Sequence, residues 1–292
     1  MLIASGLKIA VAALVAGPLA VGGVALLTPI APPPLPHAVV TLAPGAFAYR
    51  LAGDFSTAGR PVAAPRRQLR QDRPLAIMTR QVTAAEYASC VEAGACPRIP
   101  QAVPTADRPV VGVSFRDALA YADWITRQTG VVHRLPTDAE WVFAAAEKAS
   151  DEALPVVDAA DPAKAWLARY ETESARERPP IAPQPVGTFG ANANGLVDLA
   201  GNVWEWTATC FERAELAPSG AVRPVTTNCG VRVVQGEHRT YMTDFIRDPR
   251  TGGCAAGVPP ANLGFRLVVE TALADRLRAA LERTARRLLG PG

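Results

Sequence analysis

The chain has 292 residues; 49% are hydrophobic and 20% charged, with 30 basic side chains against 27 acidic ones. That length suits one large domain or two small ones, and the apolar share allows a sizeable core. The near-balanced charge, the scattered arginines and the lack of an RNA- or DNA-binding motif give no footing for a nucleic-acid partner.

The first informative segment is the apolar run from Ile9 to Leu27, about long enough to cross a bilayer as a helix. Lys8 is the only charged side chain before it, and the next is Arg50. That asymmetry predicts export of the chain beyond Leu27. Residues 1–28 therefore read as a signal peptide or a retained membrane anchor, with 9–27 as the segment that would sit in the inner membrane. A buried core helix fits less well, because the run has no polar face. A proline-rich linker, 29–37, comes next as a stiff spacer, and it includes His37.

The globular part is expected over 38–270. Val39–Leu42 is a strand candidate with a Pro44-Gly45 turn behind it. Thr83 to Val91 reads as a short helix, with Thr83 as its cap and Glu86 at the capping-box position. Val110–Val113 reads as a strand. Ser114 then caps a helix through Ile125, with Asp117 in its first turn. Thr137 caps a third helix, Asp138 to Glu147, with Glu140 at the box position. Pro155 to Pro185 reads as an insertion holding a short helix, Pro162 to Glu173. Short strands and loops rich in glycine and asparagine are expected from there to Val269. Thr271–Leu289, within a tail spanning 271–292, sets Leu273, Leu277, Leu281 and Leu288 on one helical face and Arg276, Arg283, Arg286 and Arg287 on the other. Such a helix packs on its own domain, or meets a partner or an anionic membrane surface.

Five cysteines are present: Cys90, Cys96, Cys210, Cys229 and Cys254. In an oxidising compartment, Gly94 can turn the chain so that Cys96 meets Cys90. A Cys210–Cys229 bond would close the segment Phe211 to Asn228, contributing about 3 kcal/mol. An odd count leaves one thiol over.

Three blocks carry a family resemblance. Pro109 to Ala118 leads through Trp124 to Arg134-Leu135-Pro136-Thr137-Asp138-Ala139-Glu140-Trp141. Asn194 to Thr207 contains Gly201-Asn202-Val203-Trp204-Glu205-Trp206. Asn262-Leu263-Gly264-Phe265-Arg266 closes the set, and Gln81 to Tyr87 matches an early family motif. In this order they resemble the formylglycine-generating-enzyme-like, or sulfatase-modifying-factor, family. The resemblance implies an irregular α+β fold, related to C-type lectins, with little regular secondary structure. It also implies calcium held by Asp198 and Glu205 with the carbonyls of Gly201 and Val203, a donor set suited to a hard cation. A second family calcium site would fall in the diverged 160–184 stretch and is not carried over.

The resemblance fails where the catalytic members hold two cysteines that bind copper. The nearest positions here are Thr243 and Asp248. A hydroxyl and a carboxylate cannot replace a soft thiolate pair, so copper is not expected. Cys254, in a segment like the family's C-A-A-R, reads as structural. An alternative is a divergent metal-dependent oxidoreductase with Glu237, His238, Asp244 and Asp248 as ligands; the plainer reading is a loop salt-bridged to Arg239 and Arg247. His133 reads as a surface or packing residue. The Ala48-Tyr49-Arg50 run, the cysteine spacing and His238 to Asp248 further resemble accessory proteins of copper nitrite reductase in denitrifying bacteria. That resemblance implies a periplasmic accessory protein whose old peptide cleft holds a protein or peptide partner such as the reductase.

Overall fold

The computed structural model of the chain describes residues 36–99, 106–150, 182–245 and 262–270. The apolar run, most of the Pro155–Pro185 segment, Asp248, Cys254 and the basic tail lie outside them.

Strand β1 (Val39–Leu42) forms as predicted, and Gly45 already starts β2 (Gly45–Arg50). Then come β3 (Asp54–Thr57), β4 (Arg60–Val62), β5 (Arg66–Gln71) and β6 (Leu75–Met78). Helix α1 (Ala84–Glu92) and helix α2 (Phe115–Thr129) come next, then β7 (His133–Arg134) and α3 (Asp138–Ala145), which ends in one 3-10 turn, Ala146–Lys148. The last strands are β8 (Trp204–Leu216), β9 (Val222–Gln235), β10 (Arg239–Thr243), β11 (Leu263–Gly264) and β12 (Val268–Val269).

Each helix begins at its predicted box. The Thr83, Ser114 and Thr137 side chains accept from the backbone N–H of Glu86, Asp117 and Glu140, whose carboxylates accept from the capping residues' own N–H. Two of these carboxylates are also clamped by arginines just upstream. Arg80 reaches both oxygens of Glu86 at 2.7 and 2.8 Å, and Arg134 reaches both of Glu140 at 2.8 and 2.6 Å. Burial alone would raise both carboxyls, but the guanidinium and cap hydrogen bonds outweigh it and hold them below the usual carboxylate range. Helix α2 runs one turn past Ile125, to Thr129, and Gly130 caps it in the left-handed conformation.

Three strand assemblies result. A four-stranded sheet runs β1-β6-β12-β7, and β2 pairs β5 as a separate ribbon. A six-stranded sheet runs β10-β9-β8-β3-β4, with β11 beside β8. The expected α+β class is right, but regular structure is more abundant than expected, because β8 and β9 build a hairpin with arms of 13 and 14 residues. Val110–Val113 is not a strand. Gly112 there takes φ +73°, which breaks an extended run, while Val110 and Val113 stay buried.

The larger core cluster joins Tyr87, Tyr121, Trp206, Phe265 and their neighbours between α1, α2 and the six-stranded sheet. A second cluster packs Trp141, Leu196 and Ile77 about α3. Both expected disulfides form, Cys90–Cys96 and Cys210–Cys229.

Candidate functional site

The Trp204-Glu205-Trp206 alternation sorts its side chains as strand geometry requires. The Trp206 indole is fully buried and donates to the Val113 carbonyl at 2.8 Å. Glu205, also fully buried, points the other way. Its Oε1 accepts from Gln81 Nε2 at 2.7 Å and Arg266 Nη2 at 2.7 Å; its Oε2 accepts from Trp141 Nε1 at 2.9 Å and Arg266 Nε at 2.6 Å. The second amino group of Arg266 reaches the Thr79 carbonyl at 3.2 Å, so the guanidinium also ties down the end of β6. All three family blocks thus meet at one buried ion pair. Gly264 precedes it for a steric reason: a Cβ there would stand 2.5 Å from the Val110 carbonyl oxygen.

This geometry bears on the expected calcium ligands. An ionised carboxylate offers about four lone-pair directions, and in Glu205 four N–H donors fill them. Asp198, at φ +60°, accepts at Oδ2 from the Gly187 N–H at 2.6 Å and at Oδ1 from the Phe189 N–H at 2.8 Å. Both carboxylates therefore face hydrogen-bond donors, and Glu205 faces a guanidinium. The side-chain half of the expected Asp198, Gly201, Val203 and Glu205 set does not fit a cation in this arrangement, so no chemistry is assigned to calcium.

Of the alternative ligand cluster, Asp248 lies outside the described residues, and the other three are not brought together. Glu237 and His238 sit in the turn between β9 and β10, and Asp244 lies just past the far end of β10. Six residues of extended chain separate His238 from Asp244 by about 20 Å. Glu237 is exposed, and His238 stacks edge-on against Trp204 with centroids 5.6 Å apart. Among the described residues no three His, Cys, Asp or Glu side chains group as metal ligands. Asp244 meets Arg116 at 3.3 Å and Arg239 meets Asp138 at 2.9 Å, while Arg247, the other arginine expected there, lies outside the described residues.

Thr243, the position the sequence resemblance sets nearest the family's first catalytic cysteine, ends β10 opposite Val231. The next residue, Asp244, donates its N–H to the Gly230 carbonyl and accepts at its own carbonyl from the Phe115 N–H. The start of α2 is thereby fastened to the hairpin. Arg232 lies over the Phe115 ring at 4.2 Å, and Phe115 meets Trp206 edge-on at 5.9 Å. Thr243 thus precedes Asp244, which joins the hairpin to the buried Phe115 ring and pairs with Arg116, and on the same hairpin Cys210 and Cys229 are joined in a disulfide.

Three features were missed at the sequence level. His37 and His133, expected in the linker and in a surface or packing role, are both buried and meet Nε2 to Nε2 at 3.3 Å. His133 Nδ1 donates to the Val131 carbonyl at 2.7 Å, so its Nε2 is bare and His37 supplies the shared proton. Burial, and then His133, push His37 down to about 4. The second feature centres on Asp138, fully buried, which accepts from the Tyr49 hydroxyl at 2.7 Å and from Gln235 and pairs with Arg239. Burial, and then the Asp138 charge, raise the Tyr49 hydroxyl well above its usual range. The third is a cavity of about 790 Å³ walled by Leu42, Phe47, Phe143, Arg50, Arg66 and Asn194 among others. Neither Thr243 nor Asp244 lines it. A histidine 96 positions from its partner leaves no local signal; the Tyr49 of the Ala48-Tyr49-Arg50 run was the one visible hint of the Asp138 network.

The family model described as "Sulfatase-modifying factor enzyme 1-like domain" matches residues 28–271. The chain belongs to that family. The formylglycine-generating enzyme of Streptomyces coelicolor is 31% identical over 55% of this chain and 52% of its own length. The protein named "Inactive C-alpha-formylglycine-generating enzyme 2" of Mus musculus is 38% identical over 36% of this chain and 33% of its own. This member of the sulfatase-modifying-factor family therefore spans about half or less of the length of the curated relatives it matches. Among solved structures, PvdO from Pseudomonas aeruginosa is 22% identical, with 80% of this chain and 94% of that one covered at a TM-score of 0.49.

Proposed function

We propose that the protein is an exported accessory or binding protein of the formylglycine-generating-enzyme-like scaffold, that it supports nitrite reductase in denitrification, and that it does not convert cysteine to formylglycine. One observation carries the loss of activity. At the end of β10 the chain offers Thr243, and every cysteine among the described residues is held in a disulfide. Copper-dependent thiol oxidation needs a thiolate pair, and a threonine hydroxyl is neither soft nor acidic enough to replace one. A similar protein whose own name calls it inactive supports this reading.

What is left at that place suits binding. The exposed ring of Phe245 and the guanidinium of Arg116 offer an apolar and cationic surface beside Asp244. A peptide or loop with an aliphatic side chain and a carboxylate complements it. The metal-dependent alternative loses support, because β10 holds His238 and Asp244 apart.

The test has two arms. The full-length protein, loaded with Cu(I) under oxygen, should leave a C-x-P-x-R peptide at its starting mass. Affinity capture from denitrifying cells should recover the copper nitrite reductase, and Arg116→Glu should weaken that capture about tenfold. A product lighter by the thiol-to-aldehyde change ends the inactive reading. Capture that repeatedly lacks any copper or respiratory protein ends the accessory reading.

A further inference from the structure

The two disulfides occupy unlike surroundings. Cys90 and Cys96 are enclosed, at 0% and 7% exposure. Cys229 is exposed and Cys210 half-buried. The cause lies in the hairpin register. Cys210 pairs with Arg232, yet the next residue, Phe211, pairs with Asn228. Cys229, Gly230 and Val231 thus bulge out of the β8–β9 ladder, and the bulge brings both Cys229 and Arg232 against Cys210. Arg232 Nη1 stands 3.1 Å from the Cys210 sulfur and is held there by the Ala208 carbonyl at 2.8 Å and by the Phe115 ring beneath.

A guanidinium fixed on one sulfur of an exposed disulfide makes the bond asymmetric. The exposed sulfur is open to attack, and the other can depart as a thiolate beside a positive charge. Exchange is faster when the leaving thiol has a lower pKa, and a neighbouring arginine lowers it. We propose that Cys210–Cys229 is a thiol–disulfide exchange site for an external dithiol, with Cys229 as the attacked sulfur and Arg232 as the residue that stabilises the departing Cys210.

Two displacements balance atoms and electrons. One thiolate of the dithiol bonds to Cys229 Sγ, the Cys210–Cys229 bond breaks, and its electron pair leaves on Cys210. The second thiolate then attacks the mixed disulfide and releases Cys229. The dithiol becomes a disulfide, the protein pair becomes two thiols, and the two protons of the dithiol pass through solvent to them. This site stands independently of any nitrite reductase partner, since it rests only on the hairpin.

The experiment treats the oxidised full-length protein with limiting dithiothreitol at pH 7, traps thiols with a maleimide and maps them by mass. Cys210 and Cys229 should be labelled at least tenfold faster than Cys90 and Cys96. With glutathione as a one-thiol probe, the adduct should sit on Cys229 and the free thiol on Cys210. Arg232→Gln should slow the first step about three- to tenfold, and Arg232→Lys should restore most of it. A variant that merely loosened the fold would speed reduction, at Cys90–Cys96 as well, so the sign separates the two causes. Equal rates for the two disulfides, an adduct on Cys210, or no slowing in Arg232→Gln would overturn the proposal.

Discussion

Glu205 and Arg266 illustrate why a buried ion pair is costly to break. Both side chains are fully buried, and removing one charge strands the other in a low-dielectric interior. Glu205→Gln should lower the unfolding free energy by about 3–5 kcal/mol in urea titrations, and Arg266→Met by a similar amount. The double variant should lose less than the sum, because no orphaned charge remains. A strictly additive double variant would mean that the pair is not the unit of stability. Calcium supplies a second check. With the lone pairs of Glu205 filled by N–H donors, excess chelator should leave the melting temperature within about 2 °C of its starting value, whereas a bound structural cation would add stabilisation by mass action. At this scale the sequence told half the story. The alternation about Glu205 is a local property of an extended chain and could be read directly. Its partners Gln81, Trp141 and Arg266 lie 124, 64 and 61 positions away, and no spacing rule connects them.

The helices were legible for the opposite reason. A capping box is closed by residues three apart, so Thr83–Glu86, Ser114–Asp117 and Thr137–Glu140 declare three helix starts without reference to the rest of the fold. The outer hairpin was illegible because Arg223 to Gly230 are exposed throughout. A strand with two wet faces has no period-two alternation to detect. The His37–His133 pair, which fastens the start of β1 to β7, gives the element-scale prediction. His37 faces His133 directly, with Glu86 and Arg80 exerting weaker opposing effects. Its folded-state value of about 4 lies below the ordinary 6.5, so the unfolded chain binds more protons between those values. Stability should hold above pH 6.5 and fall, on the order of 2 kcal/mol, as pH drops from 6.5 to 4. His37→Phe removes one of two titrating groups and should make that part of the curve shallower, leaving the share of His133, which burial also pushes down. An unchanged pH slope in the variant would mean that the acid sensitivity arises elsewhere.

At the scale of the whole molecule, two separate sequence signals argue for life outside the cytoplasm. One is chemical: four cysteines close two disulfides, a state that persists where the surroundings are oxidising. The other is topological: Lys8 stands alone before the apolar stretch Ile9–Leu27, a charge asymmetry from which we propose that the Lys8 side stays in the cytoplasm. Among the described residues no helix is long and apolar enough to cross a membrane, so attachment to a membrane would fall to that stretch or to the basic tail after Thr271. These make different demands. A retained Ile9–Leu27 anchor holds through the hydrophobic effect and resists alkaline carbonate, whereas a tail that lies on anionic lipid is released by salt. Expressed at full length in a Gram-negative host, the protein should sediment with the inner membrane after carbonate. Protease added to spheroplasts should digest its body, and Lys8→Glu with charges added after Leu27 should reverse the protection. Release by salt alone would move the attachment to the tail. A body protected in intact spheroplasts would place the disulfides in a reducing compartment, where neither they nor an exchange site at Cys210–Cys229 would persist, and would put the protein on the wrong side of the membrane for a periplasmic partner.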